Sequence, residues 1–178
     1  MKIGLTISNN LFANQGDKFE MNGQHLYHLT VTWTGNNKQG TKDYRSYERS
    51  HSVTIDNKAE ILCSSDPAFR GDKTKHNPEE LFVASISTCH MLWYLHLCAE
   101  EGVVVTAYTD HATGKLQETE DGGGHFTDVT LNPIVIVSEE SMIGKANELH
   151  HQANKLCFIA NSCNFPINHN PTCKTTIK

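Results

Sequence analysis

One segment of this 178-residue chain limits its possible folds more than any other, a run of about two dozen residues that favours a single long helix. Asn77 is a suitable N-cap, and Pro78 fits the first helical position because its missing N–H has no partner there. Glu79 and the next residue, also a glutamate, complement the positive end of the helix. Gly102 is a natural residue to follow the last turn. The helix would be roughly 36 Å long at 1.5 Å per residue.

The side chains of this segment predict burial on most sides. Apolar residues occur on nearly every face between Leu81 and Ala99, which in a small protein requires cover by sheets or by a second subunit. The stretch is long enough to cross a membrane, but polar residues interrupt it at five positions: Ser85, Ser87, Thr88, His90 and His96. We therefore expect a core helix and no membrane association.

The rest of the chain favours one α+β domain over residues 1–178. Alternating or β-branched patterns predict strands at about 25–33, 47–55, 59–63, 103–108 and 126–137, with the glycine-rich residues 121–124 as a loop between the last two. An apolar stripe predicts a second helix at about 139–159, capped by Ser138. The tail from 162 to 177 would add a last short strand, and residues 1–24 read as a loose arm or an edge strand.

Charge and targeting signals exclude several classes of function. The formal net charge is −5, and lysine and arginine never cluster beyond short mixed runs. A nucleic-acid-binding protein normally carries a basic patch, so we expect no nucleic-acid partner. The start of the chain turns polar before an apolar run of signal-peptide length develops, which favours a cytoplasmic location.

Six cysteines are distributed without any Cys-x-x-Cys pair, which excludes zinc-ribbon and thioredoxin-type motifs by spacing. Cys89 lies in the middle of the first helix, and Cys98 points to the opposite side of the same helix. Cys157, near the end of the second helix, could pair with Cys89 if the two helices pack together. The remaining thiols, at positions 63, 163 and 173, are interpreted as structural or incidental.

Eleven histidines raise the possibility of a metal site. Cys89 with His90 and His96 is one conceivable ligand set, and His150 with His151 and Cys157 is another. His90 and His96 lie about 240° apart around the helix and do not converge. We therefore expect no bound metal and no other cofactor.

Four motifs resemble one family. Asn-Pro-Glu-Glu-Leu-Phe at 77–82, before a helix that carries Cys89, resembles the OsmC/Ohr family of thiol-dependent hydroperoxide reductases, and Cys-Phe-Ile-Ala-Asn-Ser at 157–162 is similar to the site of its second cysteine. Ser-Asp-Pro-Ala-Phe-Arg-Gly-Asp at 65–72 and Cys-His-Met-Leu-Trp-Tyr-Leu-His at 89–96 are similar to one OsmC-like branch. The resemblance extends from about residue 30 to the C-terminus. Many members have proline directly after the second cysteine, where this chain has Phe158.

The resemblance implies an α+β fold in which two β-sheets wrap around paired central helices in an intertwined homodimer. It also implies a cysteine-based peroxidase that reduces organic hydroperoxides to alcohols, with the active sites at the subunit interface. Cys89 would form a sulfenic acid, Cys157 would condense with it to a disulfide, and an external dithiol would reduce the product. Apolar residues around Cys89 would favour organic over hydrogen peroxide. The alternative is a non-catalytic OsmC-like stress protein that binds a small apolar ligand at the dimer interface.

The resemblance further implies an arginine that stabilises the Cys89 thiolate and pairs with Glu79. Arg49 fits best by its placement at the start of a strand, followed by Arg45 and then Arg70. Glu79 cannot reach Cys89 of its own helix, because ten residues separate the two by about 15 Å along the axis. We therefore expect Glu79 to act across the dimer or by orienting the arginine.

Overall fold

The computed structural model describes residues 23–176, and nearly all of the expected N-terminal arm, 1–24, lies outside this range. Its nine strands and two α-helices confirm a mixed α+β fold. In chain order the elements are β1 (Thr30–Trp33), β2 (His51–Thr54), β3 (Ile61–Cys63), α1 (Pro78–Glu100), β4 (Val105–Asp110), β5 (Thr113–Glu118), β6 (Gly124–Leu131), β7 (Pro133–Val137), α2 (Ile143–Leu156), β8 (Ile167–His169) and β9 (Thr172–Thr175).

The strands form three sheets of three strands each in one chain, whereas the resemblance implied two sheets around the paired helices of a dimer. The orders are β1-β2-β3, β4-β7-β9 and β5-β6-β8. The C-terminal strands β8 and β9 run parallel to β6 and β7, whereas all other pairs are antiparallel. The segment around α2 therefore acts as a crossover that returns the chain to both later sheets.

The prediction of one strand over residues 126–137 was wrong. The strand is interrupted at Asn132, and the two resulting strands, β6 and β7, belong to different sheets. Asn132 donates its backbone N–H to the Asp110 carboxylate at 2.7 Å, and the following Pro133 has no N–H to continue a ladder. The glycine-rich segment at 121–124 was expected to follow the strand at 103–108, but it connects β5 to β6. The strand β5 is fully exposed and mostly polar, and the sequence pattern did not predict it.

The first helix begins as predicted and is less buried than predicted. The Asn77 side chain accepts the backbone N–H of Glu80 at 2.7 Å, and the Glu80 carboxylate accepts the N–H of Asn77 at 3.3 Å, which forms a capping box. Only four residues of α1 are fully buried in one chain, at a spacing of four: Ile86, His90, Tyr94 and Cys98. Among the described elements α1 alone is long and apolar enough to cross a membrane, a property that core helices of soluble proteins share.

The second helix is shorter than predicted. A 3-10 turn at Glu140–Met142 precedes α2, and no side chain caps either N-terminus, so the predicted cap at Ser138 was wrong. The buried residues Ala146, Leu149 and Ala153 confirm the apolar stripe, which packs on Tyr94 and Cys98 of α1 and on Val135 and Val137 of β7. A second cluster joins Ile86 of α1 to β6. The first cluster packs α2 against the C-terminal half of α1, and the second packs the residues that follow α2 near Ile86.

Candidate active site

The loop of residues 65–72 sets the position at which α1 begins. The Asp66 carboxylate accepts the N–H of Ala68 at 2.7 Å, and Arg70 adopts a left-handed conformation with φ of 66°. Gly71 passes so close to the backbone of Ser65 that a Cβ would lie 1.5 Å from its carbonyl oxygen, which only glycine avoids. The Asp-Pro-Ala-Phe-Arg-Gly motif is therefore the sequence of one tight loop that leads into the helix.

The fold places Cys89 and Cys157 side by side. Phe158 packs edge-on against Trp93, with ring centroids 5.6 Å apart, and Ile159 packs in the cluster around Ile86. Because Ile86 and Trp93 lie three residues before and four residues after Cys89, the backbone that carries Cys157 spans the helix face on which Cys89 lies. The two thiols influence each other's electrostatic surroundings, and both are free in the described structure.

The two sulfurs differ in their access to solvent. Cys89 is partly exposed, whereas Cys157 has no exposed surface. Burial, and then the hydrogen bond with Cys89, raise the pKa of Cys157 to about 12, against a smaller opposing effect of the Ala160 N–H, which donates to Sγ of Cys157 at 3.4 Å. Cys157 is therefore a neutral thiol at neutral pH, and Cys89 is the sulfur of the pair that a dissolved molecule can reach.

The residues after Cys157 hold it in place by satisfying the last carbonyl groups of α2. Asn161 donates its side-chain amide to the Lys155 carbonyl at 2.9 Å and its backbone N–H to the Cys157 carbonyl at 3.0 Å. The Ser162 hydroxyl donates to the Phe158 carbonyl at 2.8 Å. These groups would otherwise lack partners at the helix C-terminus. The Phe-Ile-Ala-Asn-Ser motif is thus a helix stop that fixes the Cys157 sulfur.

Glu79 lies in the first turn of α1, away from Cys89 in its own chain. Its Oε2 atom is buried, and no hydrogen-bond partner reaches it among residues 23–176. A buried carboxylate oxygen without a partner carries a large desolvation cost, so this position favours a cationic neighbour. It faces a cavity of about 730 Å³ whose walls include Phe69, Val83 and Phe126, and whose lining includes neither Cys89 nor Cys157.

The three arginines lie at the N-terminal sheet and the loop that follows it. Arg49 donates to the carbonyls of Tyr44 and Tyr47 at 2.9 and 2.7 Å, and its guanidinium carbon lies 4.2 Å from both ring centroids. Arg70 lies 5.9 Å from the Tyr44 ring, and Arg45 is exposed. Within the described part of a single chain, Arg49 forms no ion pair with Glu79. Its role at Cys89 remains a prediction.

A second buried cluster was missed by the sequence analysis. Nε2 of His90 lies 3.0 Å from Nδ1 of His150, and the His150 ring stacks on Tyr94 with centroids 3.9 Å apart. The spacing of four between Ile86, His90, Tyr94 and Cys98 was the available signal, since it marks the buried face of α1. The histidine partner, sixty residues away, had no such signal. In the described residues, no group of three or more His, Cys, Asp or Glu side chains is arranged to hold a metal ion.

The comparisons with known proteins support this fold. The profile of the OsmC-like protein family matches residues 71–172, more than half of the chain. The chain belongs to the OsmC-like family. An OsmC-like protein of unknown function from Vibrio cholerae is 32% identical, with a TM-score of 0.76 over 84% of this chain and 100% of that one. No curated protein sequence matches significantly.

More distant structures share the fold of this OsmC-like protein. An organic hydroperoxide resistance protein from Elizabethkingia anophelis is 22% identical, with a TM-score of 0.61 over 86% of this chain and 99% of that one. The organic hydroperoxide resistance protein OsmC from Legionella pneumophila is 17% identical, with a TM-score of 0.61 over 86% of this chain and 100% of that one. The family thus includes proteins named for resistance to organic hydroperoxides.

Proposed function

We propose that this OsmC-like protein is a cytoplasmic, thiol-dependent peroxidase that reduces organic hydroperoxides. The Cys89 thiolate attacks the distal peroxide oxygen, the O–O bond breaks, and an alcohol leaves after protonation, so that Cys89 becomes a sulfenic acid. The Cys157 sulfur then attacks the Cys89 sulfur and water leaves, giving a Cys89–Cys157 disulfide. An external dithiol reduces this disulfide and is itself oxidised.

The observation that carries this proposal is the pairing of one accessible thiol with one buried thiol. A reactive cysteine needs access to peroxide, and a partner close enough to form a disulfide protects it from further oxidation. Phe158 and Trp93 provide apolar surface beside Cys89, which supports organic over hydrogen peroxide as the substrate. The hydroperoxide resistance names of the distant structures agree with this choice.

Stopped-flow oxidation tests the proposal. We expect cumene hydroperoxide to oxidise the reduced protein at least tenfold faster than hydrogen peroxide, with a dithiol restoring both thiols. Thiol counting by mass spectrometry, before and after one equivalent of cumene hydroperoxide, should show the loss of two thiols. An unchanged count would reject the peroxidase and favour the alternative, an OsmC-like protein that binds a small apolar ligand.

We also propose that two chains form an intertwined homodimer. The described residues leave part of α1 uncovered, including Leu92, which is 62% exposed, and the exposed small residues Ala84 and Ala99 at helical spacing from it. The N-terminal sheet region exposes Leu29, Val31 and Leu62 by more than half. Apolar surfaces of this extent are unusual on a monomer and are typical of an interface with a second chain.

Sedimentation measures this assembly directly. We expect a species of twice the 19.9 kDa chain mass at micromolar concentration. Leu92→Glu should dissociate it, because a carboxylate would be buried against the same helix of the partner. Val104→Glu, at an exposed position between α1 and β4, is the control and should remain dimeric. A wild-type monomer near 20 kDa would reject the shared site.

Arg49 is expected to lie between the Cys89 thiolate of one chain and the Glu79 carboxylate of the other, because one arginine cannot reach both residues of a single helix. The buried Oε2 of Glu79 has no hydrogen-bond partner among residues 23–176. Arg49→Ala should slow peroxide attack by at least tenfold and move the pH profile of Cys89 alkylation upward. Arg49→Lys should restore little of this rate, because lysine lacks the planar guanidinium group that can bind a carboxylate and approach a thiolate together. Arg45→Ala is the matched control. An unchanged alkylation profile in Arg49→Ala would assign the role to Arg45 or Arg70.

A further inference from the structure

We propose that Tyr44 is a positioning residue of the peroxidase site: its ring holds the Arg49 guanidinium in the orientation in which it supports the Cys89 thiolate. This inference rests on the proposed function, because the roles of Arg49 and Cys89 belong to it, and it adds the group that keeps the arginine in place. Tyr44 acts on Cys89 through Arg49, so its effect should vanish once the arginine is removed.

Two rings and two carbonyl groups hold the Arg49 side chain. Its guanidinium carbon lies 4.2 Å from the ring centroids of both Tyr44 and Tyr47. Its terminal amino groups donate to the backbone carbonyls of the same two residues, at 2.9 Å to Tyr44 and 2.7 Å to Tyr47. The ring contacts restrict the tilt of the planar group, and the hydrogen bonds restrict its rotation within the plane. The orientation of the side chain is therefore set by its own segment of the chain.

The fixed guanidinium group keeps donors for other partners. It carries more N–H groups than these two carbonyls use, and residues 23–176 of the same chain supply no further acceptor. Arg49 is only partly exposed, so its charge is partly shielded from water. A cation in this state favours anionic neighbours. The proposed site provides two of them, the Cys89 thiolate and the buried Glu79 oxygen that has no hydrogen-bond partner among the same residues.

The segment around Tyr44 is held in a closed turn. The Ser46 hydroxyl accepts the backbone N–H of Asp43 at 3.0 Å, and the Ser46 N–H donates to the Asp43 carbonyl at 3.2 Å. The second ring is anchored separately, because Tyr47 packs edge-on against Trp33 of β1 with ring centroids 5.8 Å apart. Local hydrogen bonds therefore fix the first ring that contacts the arginine, and the N-terminal sheet fixes the second.

Tyr44 is the ring whose removal gives the clearer test. It is 58% exposed in one chain, and its ring centroid lies 4.2 Å from the guanidinium carbon of Arg49 and 5.9 Å from that of Arg70. A side chain this exposed contributes little to a hydrophobic core, whereas its π face attracts cations. Arg70 belongs to the loop 65–72 that leads into α1, so Tyr44 also connects the arginine segment to the start of that helix. Tyr47 packs on β1, so its removal would also disturb the sheet.

Tyr44→Phe and Tyr44→Leu form a matched pair, because both keep an apolar side chain and the backbone carbonyl, and only phenylalanine keeps a π face. The measurement is the pH dependence of Cys89 alkylation by iodoacetamide, resolved by peptide mass spectrometry. We expect the midpoint to rise by about half a pH unit in Tyr44→Leu and to stay within about 0.2 unit in Tyr44→Phe. The first-turnover rate with cumene hydroperoxide near neutral pH should fall about fivefold only in the leucine variant.

A double-mutant cycle separates positioning from a general loss of structure. If Tyr44 acts through the arginine, Tyr44→Leu should change neither the midpoint nor the rate any further in Arg49→Ala protein. Equal profiles in the leucine and phenylalanine variants would overturn the proposal, as would a leucine effect that persists undiminished without Arg49. If the midpoints change as expected but peroxide leaves Cys89 unoxidised in the wild-type protein, the positioning role stands and the peroxidase function fails.

Discussion

Replacing Cys89 with serine is expected to reduce peroxide turnover at least a thousandfold while the fold stays intact. A serine hydroxyl is not ionised at neutral pH and is a far weaker nucleophile toward peroxide oxygen than a thiolate. Cys89 is partly exposed at mid-helix, where the smaller oxygen leaves little empty space. The measurement is steady-state consumption of cumene hydroperoxide with a dithiol, together with the circular dichroism spectrum.

Two matched variants define what this loss means. The Cys163 thiol donates to the Ile159 carbonyl, and a serine hydroxyl can make the same hydrogen bond. Cys163→Ser should therefore retain activity within about twofold. Cys157→Ser should complete one oxidation of Cys89 and stop at the sulfenic acid or its over-oxidised forms. In the wild-type protein, peptide mapping after peroxide treatment should find a Cys89–Cys157 disulfide. Full residual activity in Cys89→Ser, or a dominant Cys157–Cys163 product, would contradict the assignment.

The second large effect is acid sensitivity that originates in the buried histidine pair. Burial, and then the charge of His169, lower the pKa of His90 to about 4; burial, and then His90 and the other nearby histidines, lower the pKa of His150 to about 3. Both rings are therefore neutral in the folded protein at pH 7. The unfolded chain takes up these protons below the ordinary histidine pKa of about 6.5, so falling pH favours unfolding.

The contribution of this histidine pair to the free energy of unfolding should therefore be fully present above pH 6.5 and be lost progressively as the pH falls toward 4. The loss from His90 alone is on the order of 3 kcal/mol over that range. Chemical denaturation at fixed protein concentration, repeated from pH 7.5 to 4.5, gives the slope of the free energy of unfolding against pH. His150→Gln should reduce this slope by about one proton, whereas His125→Gln, on the exposed part of β6, should leave it unchanged. A flat stability profile between pH 6.5 and 4.5 would contradict the prediction.

Local signals explain which elements were predictable. The start of α1 followed from Asn77, Pro78 and Glu80, because a capping box involves residues only three positions apart. The boundary between β6 and β7 had a local signal that the prediction of one strand overlooked. Asn132 and Pro133 interrupt the apolar pattern of residues 126–137, and proline has no N–H to donate to a ladder. The contact of the Asp110 carboxylate with the N–H of Asn132 joins residues 22 positions apart and was not predictable from a short window.

The site shows the same division. The motif around Cys157 was recognised by its resemblance to the family, and the structure shows that Asn161 and Ser162 make local hydrogen bonds within it. The pairing of His90 with His150 joins residues sixty positions apart on different helices, and polar spacing on one helix does not identify such a partner. The lack of a hydrogen-bond partner for Oε2 of Glu79 among residues 23–176 was likewise not visible in the sequence. Contacts between residues on different helices and strands were therefore visible only in the structure.

The contact between Trp93 and Phe158 gives the molecule a built-in optical signal. The chain has two tryptophans, and Trp33 is 42% exposed on the N-terminal sheet, at a different place from the cysteine pair. Trp93 is four residues from Cys89 and touches the residue next to Cys157, so its indole borders both partners of any bond between them. Disulfides quench nearby indole fluorescence, so emission from this ring would report the formation and the reduction of a Cys89–Cys157 disulfide in real time, without a dye or a coupled enzyme.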